Sequence, residues 1–274
     1  MLRVASYNVN GIRAAQRRGF ECWLERRRPD VVAIQEMRCP PELVPEGVFG
    51  DYHHAYHPGS LPGRNGVAVL SRVAPTAVRQ GFGSRVFDHE GRYLEVDLDL
   101  PGRPPLTVGS LYLTKGSPKV GPDADLARYR RKMRFMASFR AYLVGARRTA
   151  RREGREFLVM GDFNVAHERS DLKNWRGAGQ KEGFLPEERE WFGSLLSERT
   201  LVDVVRRLHP DAEGPYSWWS WMPGAFERDS GWRIDYHLAS PGLARTAVAG
   251  GTDREASSAE RVSDHAPVVV DYAY

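Results

Sequence analysis

Apolar residues occur along this chain in short runs, and polar residues of a few recurrent types close those runs. Leu2–Asn8 alternates apolar and polar positions and predicts a first strand, which exits into Asn8-Val9-Asn10-Gly11. Val31-Val32-Ala33-Ile34 predicts a buried second strand that delivers Gln35-Glu36 at its end. Residues 66–71 and 106–113 predict two more, the latter carrying Tyr112, and Tyr93–Leu98 alternates cleanly, as a half-exposed strand does. Phe157-Leu158-Val159-Met160 predicts a short buried strand running into Gly161-Asp162-Phe163-Asn164. Residues 232–238, with Asp235 near the start, and 268–270, preceded by Ser263-Asp264-His265-Ala266-Pro267, complete the series.

Helical spacing separates these strands. Residues 19–28 place Phe20, Trp23 and Leu24 on one face, and Pro29-Asp30 ends the helix. A long helix begins near Asp125, with Leu126, Tyr129, Met133, Met136 and Leu143 as its buried stripe and Arg128, Arg131, Arg134 and Arg140 largely off it. Residues 186–198 predict a helix burying Trp191, Leu195 and Leu196, and Leu201-Val202-Asp203 opens a further element. Residues 40–66 and 165–183, rich in Pro, Gly and polar side chains, read as loops. No linker or low-complexity segment divides the series. The expectation is one α/β domain over residues 1–274, with two packed sheets and helices outside.

Composition narrows the class without choosing a function. Hydrophobic residues make up 41% and charged residues 27% of the 274, the ordinary balance of a folded water-soluble chain. The net charge of +5 accommodates a polyanionic partner without requiring one. Cys22 and Cys39 stand in unrelated contexts, which excludes a disulfide framework or a zinc-site spacing and suits a reducing compartment. The N-terminus lacks a signal-peptide pattern, and no apolar run is long enough to span a bilayer, so the expectation is a soluble cytoplasmic protein.

The chemistry gathers at the strand ends. In extended backbone, residues two apart point to one side, so Asp162 and Asn164 should face a common pocket. Taken alone they also fit a capping Asp and a turn Asn. Glu36, Asp162, Asn164, Asp235, Asp264 and His265 together form an oxygen-rich set with one imidazole, which suits Mg²⁺ or Mn²⁺ better than zinc. His265 has the chemistry of an acid, a base or a phosphate contact, with Asp235 as the candidate that orients it. These are parts for metal-assisted phosphodiester hydrolysis. The cluster Arg147, Arg148, Arg151, Arg152 and Arg155 fits a solvated helix end favoured by the helix dipole, ahead of a DNA contact. Asn8-Val9 and Asn164-Val165 form a weak echo that hints at two similar halves.

The order of Asn8-Val9-Asn10-Gly11-Ile12-Arg13, Gln35-Glu36, Gly66-Val67-Ala68, Tyr112, Gly161-Asp162-Phe163-Asn164, Phe184-Leu185-Pro186-Glu187-Glu188-Arg189, Trp232-Arg233-Ile234-Asp235 and Ser263-Asp264-His265-Ala266-Pro267 resembles the exonuclease III / class II apurinic endonuclease family, within the DNase I-like group. That resemblance implies a four-layer αββα sandwich of two mixed sheets flanked by helices. It implies Mg²⁺, with Mn²⁺ as a substitute, held chiefly by Glu36 with Asn8 nearby, and metal contacts from Asp162, Asn164, Asp264 or His265. Asp162 would position or deprotonate the attacking water, and Asn164 would support the phosphate. His265, oriented by Asp235, and Tyr112 would contact that phosphate. Trp218, Trp232 and Ile234 would wall a pocket for an extruded abasic sugar. Lys115, Asn174 and Met222 would touch DNA, with Trp221-Met222 as a wedge. The implied substrate is double-stranded DNA with abasic sites or 3′ ends, met by a monomer. Leu113-Thr114-Lys115 departs from the family's usual Pro and amide residue after Tyr112, and adds a phosphate-directed charge. Rival readings are a phosphoinositide or sphingomyelin hydrolase of the same group, and a DNA-binding protein without catalysis.

Overall fold

Twelve strands pair into two six-stranded sheets in the computed structural model, which describes residues 1–274. In chain order they are β1 (Leu2–Asn8), β2 (Val31–Gln35), β3 (His53–His57), β4 (Val67–Ser71), β5 (Ala77–Gln80), β6 (Tyr93–Leu98), β7 (Leu106–Tyr112), β8 (Glu156–Asp162), β9 (Val202–Asp203), β10 (Asp235–Ala239), β11 (Ala247–Thr252) and β12 (Val268–Tyr272). The helices are α1 (Ile12–Arg17), α2 (Phe20–Arg27), α3 (Leu126–Arg152), α4 (Pro186–Gly193), α5 (Val204–Leu208) and α6 (Pro241–Arg245). One sheet runs β11-β12-β1-β2-β4-β3 and the other β5-β6-β7-β8-β10-β9.

Strand alternation sorts side chains between layers. Val4, Ala33, Val69, Val96, Val108, Leu158, Met160 and Val270 fill the space between the sheets. Their neighbours Tyr7, Val32 and Ile34 face α1 and α2 with Phe20, Trp23 and Leu24. Phe157, Val159 and Leu238 face α3 and α4. Central strands are therefore covered on both sides, which is why they read as unbroken apolar runs. The four-layer αββα arrangement follows.

The two sheets share one pairing pattern. β1 is parallel to β2 and antiparallel to β12; β8 is parallel to β7 and antiparallel to β10. The Asn-Val echo lies at the ends of these corresponding strands. The pattern also directs the C-terminal ends of β1, β2, β7 and β8, and the N-terminal end of β10, to the site edge, with Asn8 beside Gln35, and Tyr112 and Asp235 both beside Asp162.

Several elements depart from the sequence expectation. Strands β3 within 40–66, β5 and β11 are edge strands with polar, exposed positions, such as His53, His54 and Arg79, and carry little apolar signal. Tyr93–Leu98 is buried on both faces because Glu95 and Asp97 are covered by Arg79, Tyr142 and Thr107. In α3 the buried stripe is Lys132, Phe135, Met136, Phe139, Leu143 and Ala150, whereas Leu126 is exposed. Lys132 can lie on the inner face because Glu188 Oε1 meets its Nζ at 2.6 Å. The helix at 186 stops at Gly193, and regular pairing in the 232–238 segment begins at Asp235.

Gly161 has a structural reason. It sits at φ 138°, and a Cβ there would lie 2.0 Å from the Leu111 carbonyl oxygen of β7. The close approach is between the paired backbones of β7 and β8. Gly161→Ala should destabilise the protein by about 3 kcal/mol through overpacking, measured by chemical denaturation. Wild-type stability would show that β7 and β8 can separate there without cost.

Candidate active site

Backbone strain marks the points where strands hand side chains to the cleft. Glu36 (φ 53°) and Asn164 (φ 49°) both adopt the left-handed conformation that non-glycine residues rarely occupy. Asn164 therefore reaches the same side as Asp162 through a turn, not along an extended strand. Its backbone N–H donates to Asp162 Oδ1 (2.8 Å), and its Nδ2 donates to Leu113 O (2.9 Å) and Asp162 Oδ2 (3.2 Å). Lys132 Nζ, missed by the sequence reading, donates to Asn164 O at 2.8 Å and steadies the turn from below. A lysine off the expected stripe gave no signal of this.

The cleft has a volume of about 260 Å³ and is bounded by Glu36, Tyr112, Asp162, Asn164, Asp264 and His265 on its polar side. Asn8 Nδ2 donates to Glu36 Oε1 (2.9 Å) and to Asp162 Oδ2 (3.0 Å). Its side-chain carbonyl oxygen accepts from Asn10 N–H, so Asn8 presents its amide NH2 to the carboxylates and braces them. Asp264 accepts from Asn10 Nδ2 (2.7 Å) and Trp218 Nε1 (3.1 Å), an arrangement that orients its neighbours. His265 Nδ1 lies 2.8 Å from Asp235 Oδ2, and its Nε2 faces Asp162 Oδ2 at 3.8 Å. Ser217, also missed, is fully buried and donates to Asp235 Oδ2 at 2.6 Å. It lies hidden in an aromatic run, where a small hydroxyl has no distinctive pattern.

The opposite wall is apolar. Trp218 and Trp232 exchange backbone hydrogen bonds of 2.9 Å, and their rings meet edge to face with centroids 6.3 Å apart. Ile234 packs with them over Ala166, Leu172 and Phe184. A buried network holds this wall: Arg233 donates to Asp171 Oδ1 (2.7 Å) and Asp203 Oδ1 (3.1 Å), and Arg206 also donates to Asp171. Trp219 is core, as the sequence favours, and packs with Tyr216, Phe226 and Ala266. Lys115 stands on the rim, 4.0 Å from Glu182, which offsets part of its added charge. Asn174 and Met222 are exposed and lie outside the cleft lining; Met222 projects at 71% exposure beside Trp221.

Residues 5–265 match the endonuclease/exonuclease/phosphatase family. The chain is 33% identical to the DNA repair nuclease APEX1 of Danio rerio, across 98% of this chain and 81% of that protein. It is 32% identical to an exodeoxyribonuclease of Bacillus subtilis, across 97% and 98% of the two chains. The solved AP endonuclease of Archaeoglobus fulgidus superposes with a TM-score of 0.84 at 28% identity, over the whole of both chains.

The electrostatics suit a cation. Ligand atoms of Glu36, Asp162 and His265 lie within 4.8 Å of one another. Glu36 Oε2 accepts no well-directed hydrogen bond, although the Arg38 guanidinium touches it, and Asp235 Oδ1 has no partner. Burial, with Asp235 and Glu36 nearby, raises Asp162 to about 8 against the pull of His265. Burial opposes charge on His265, but Asp235, Asp162 and Asp264 outweigh it and raise the ring to about 10. A buried site with this excess of negative charge and all-oxygen donors beside one imidazole fits a hard divalent ion. Both shifts have one sign: the folded site holds protons that the unfolded chain releases, Asp162 from its ordinary 3.8 up to about 8 and His265 from 6.5 up to about 10. Metal-free protein should therefore lose stability as pH rises through these windows, and Mg²⁺ should reduce the loss by taking the proton's place on Asp162. Melting temperatures across that range, with Mg²⁺ and with EDTA, test it; identical pH profiles in the two would reject the coupling.

Proposed function

The chain belongs to the exonuclease III / AP endonuclease branch of the endonuclease/exonuclease/phosphatase family, and from that premise we propose a DNA repair nuclease that hydrolyses the phosphodiester 5′ to abasic sites and trims 3′ ends. The observation that carries this reading is one cleft with two walls. Carboxylates and an imidazole line one side, and Trp218, Trp232 and Ile234 line the other. The indole of Trp218 has committed its N–H to Asp264, so the apolar wall offers ring faces and little to pair with a base. A bare sugar suits it. An abasic nucleotide also has no base to unstack, so its extrusion is cheap.

Each polar residue has a role consistent with its contacts. Glu36 and Asp162 would hold Mg²⁺, with Mn²⁺ as a substitute. When bound, the ion supplies positive charge to the phosphate oxygens. Asp162, its own proton displaced when the ion binds, would accept the proton of the attacking water. Asn164 would hold that water through its side-chain carbonyl oxygen, since its Nδ2 already donates to Leu113 O and Asp162 Oδ2. The ring of His265 is an imidazolium, raised to about 10 by the surrounding acids; Asp235 takes its Nδ1–H, which leaves Nε2–H to donate to the phosphate. The Tyr112 phenol, at the end of β7 and under Arg92, whose guanidinium lies 5.0 Å from its ring, stays protonated because burial and the nearby acids raise it; it donates to the same group.

Duplex DNA with one abasic analogue should be incised on its 5′ side in Mg²⁺ and not in EDTA. Asp162→Asn should lose about 10³-fold in kcat, within the range for a lost general base. Hydrolysis of an inositol or sphingolipid phosphodiester without DNA incision would replace this reading with the corresponding rival, and DNA binding without hydrolysis of any substrate would leave only the binding protein. Met222→Ala should speed dissociation from DNA and leave single-turnover incision unchanged, because Met222 projects into solvent beside Trp221 and makes no contact in the cleft. Stopped-flow release from labelled duplex measures this; an unchanged release rate would remove the wedge.

A further inference from the structure

A second concavity lies at the far edge of the sandwich. It has a volume of about 820 Å³, and Arg147, Arg148, Arg151, Arg155, Arg199 and Arg245 line it. The arginines come from the last turns of α3, the turn into β8, the loop after α4 and the end of α6. Glu156 and the first residues of β8 form the floor. Because Asp162 ends the same strand, the basin and the cleft are separated by about 20 Å at ~3.3 Å per residue.

These cations are not spent on the fold. Arg155 reaches Asp99 at 3.0 Å and Glu153 at 3.9 Å, whereas the side chains of Arg147, Arg148, Arg151, Arg199 and Arg245 make no hydrogen bond or ion pair within the chain. The one carboxylate in the basin, Glu156, is already engaged by the Ser240 hydroxyl. Burial and the adjacent Arg148 both work against the charge on Arg147. A helix C-terminus accounts for cations in the last turn of α3. It gives no reason for Arg199, from another element, to face the same space. Convergent unpaired guanidinium groups repel one another and are stabilised by a multivalent anion.

The lining selects among anions. Phe157 is its only large apolar side chain, and no Trp or Tyr is present. Protein interfaces centre on buried aromatic or aliphatic anchors, and single-stranded nucleic acid is held by aromatic stacking. Neither is available here. Forked donors without stacking surface match a run of phosphates on a regular backbone. We propose that this basin binds the phosphate backbone of duplex DNA, as a second contact face remote from the carboxylate cleft. The site does not depend on which bond the cleft hydrolyses. It gives the protein a hold on duplex that survives release of the cleaved position, or a grip on a second segment.

Phenylglyoxal modification, read residue by residue by mass spectrometry in EDTA, tests the site directly. An undamaged duplex should protect Arg151, Arg199 and Arg245 several-fold. The triple variant Arg151→Gln/Arg199→Gln/Arg245→Gln, at exposed and unpartnered positions, should melt close to the wild type. Its salt dependence of duplex binding should be shallower by about 2–3 in log–log slope, at ~0.9 per phosphate contact. Equal modification with and without duplex overturns the proposal, as does an unchanged slope in the triple variant. Protection by polyglutamate but not by duplex assigns the basin to an acidic protein and also overturns it. Protection by tripolyphosphate alone assigns it to a free polyphosphate, with the same consequence.

Discussion

One amide group joins the two halves of the molecule where the chemistry would take place. Asn8, at the end of β1, donates to Glu36 from its own sheet and to Asp162 from the other. Two carboxylates held this close repel one another, and in a buried site that repulsion is weakly screened. The shared donor offsets part of it and sets their spacing. The rest of the negative charge is balanced in part by His265, and the donor set suits a cation for the remainder. The site is therefore assembled by packing two sheets face to face, and a shift of one sheet against the other would disperse it.

Rigid buried polar groups keep that alignment. Ser217, Asp235 and His265 form one chain of hydrogen bonds; Lys132 links the Asn164 carbonyl, by a hydrogen bond, to Glu188, by an ion pair; Asp171, Arg233, Asp203 and Arg206 form a third network. Charges buried this deeply contribute little net stability, but removing one partner of such a pair costs roughly 3–5 kcal/mol. Their service here is positional. Each network ends on a residue that lines the cleft, directly or through its chain neighbour: His265, Asn164, and Trp232 with Ile234.

Strain falls at the same places. The left-handed backbones of Glu36 and Asn164 cost free energy that the sheets on either side supply through their packing. The paired approach of β7 and β8 at Gly161 belongs with them, because it sets Tyr112 level with Asp162. Fold and site are thus one structure, and the long apolar core between the sheets is what makes such local cost tolerable.

The central strands and the motif residues at their ends were legible in the sequence, since a strand covered on both faces must be apolar and a glutamate or aspartate at its end then stands out. Glu36, Asp162 and His265 could be named from residue type and order. Other features depended on contacts between residues far apart in the chain. The edge strands β3, β5 and β11 have one neighbour and little apolar demand. The phase of α3 turned on a lysine whose partner, Glu188, lies 56 positions away. Asn8 read as a metal neighbour, but that its amide bridges acids of both sheets depended on the sheets' packing. Ser217 had no pattern of its own, and the arginines of the far basin read as a helix end until Arg199 and Arg245 were brought beside them. Residue type and periodicity determine what each segment can bury; which polar groups then share a space is decided only when the sheets and helices close on one another.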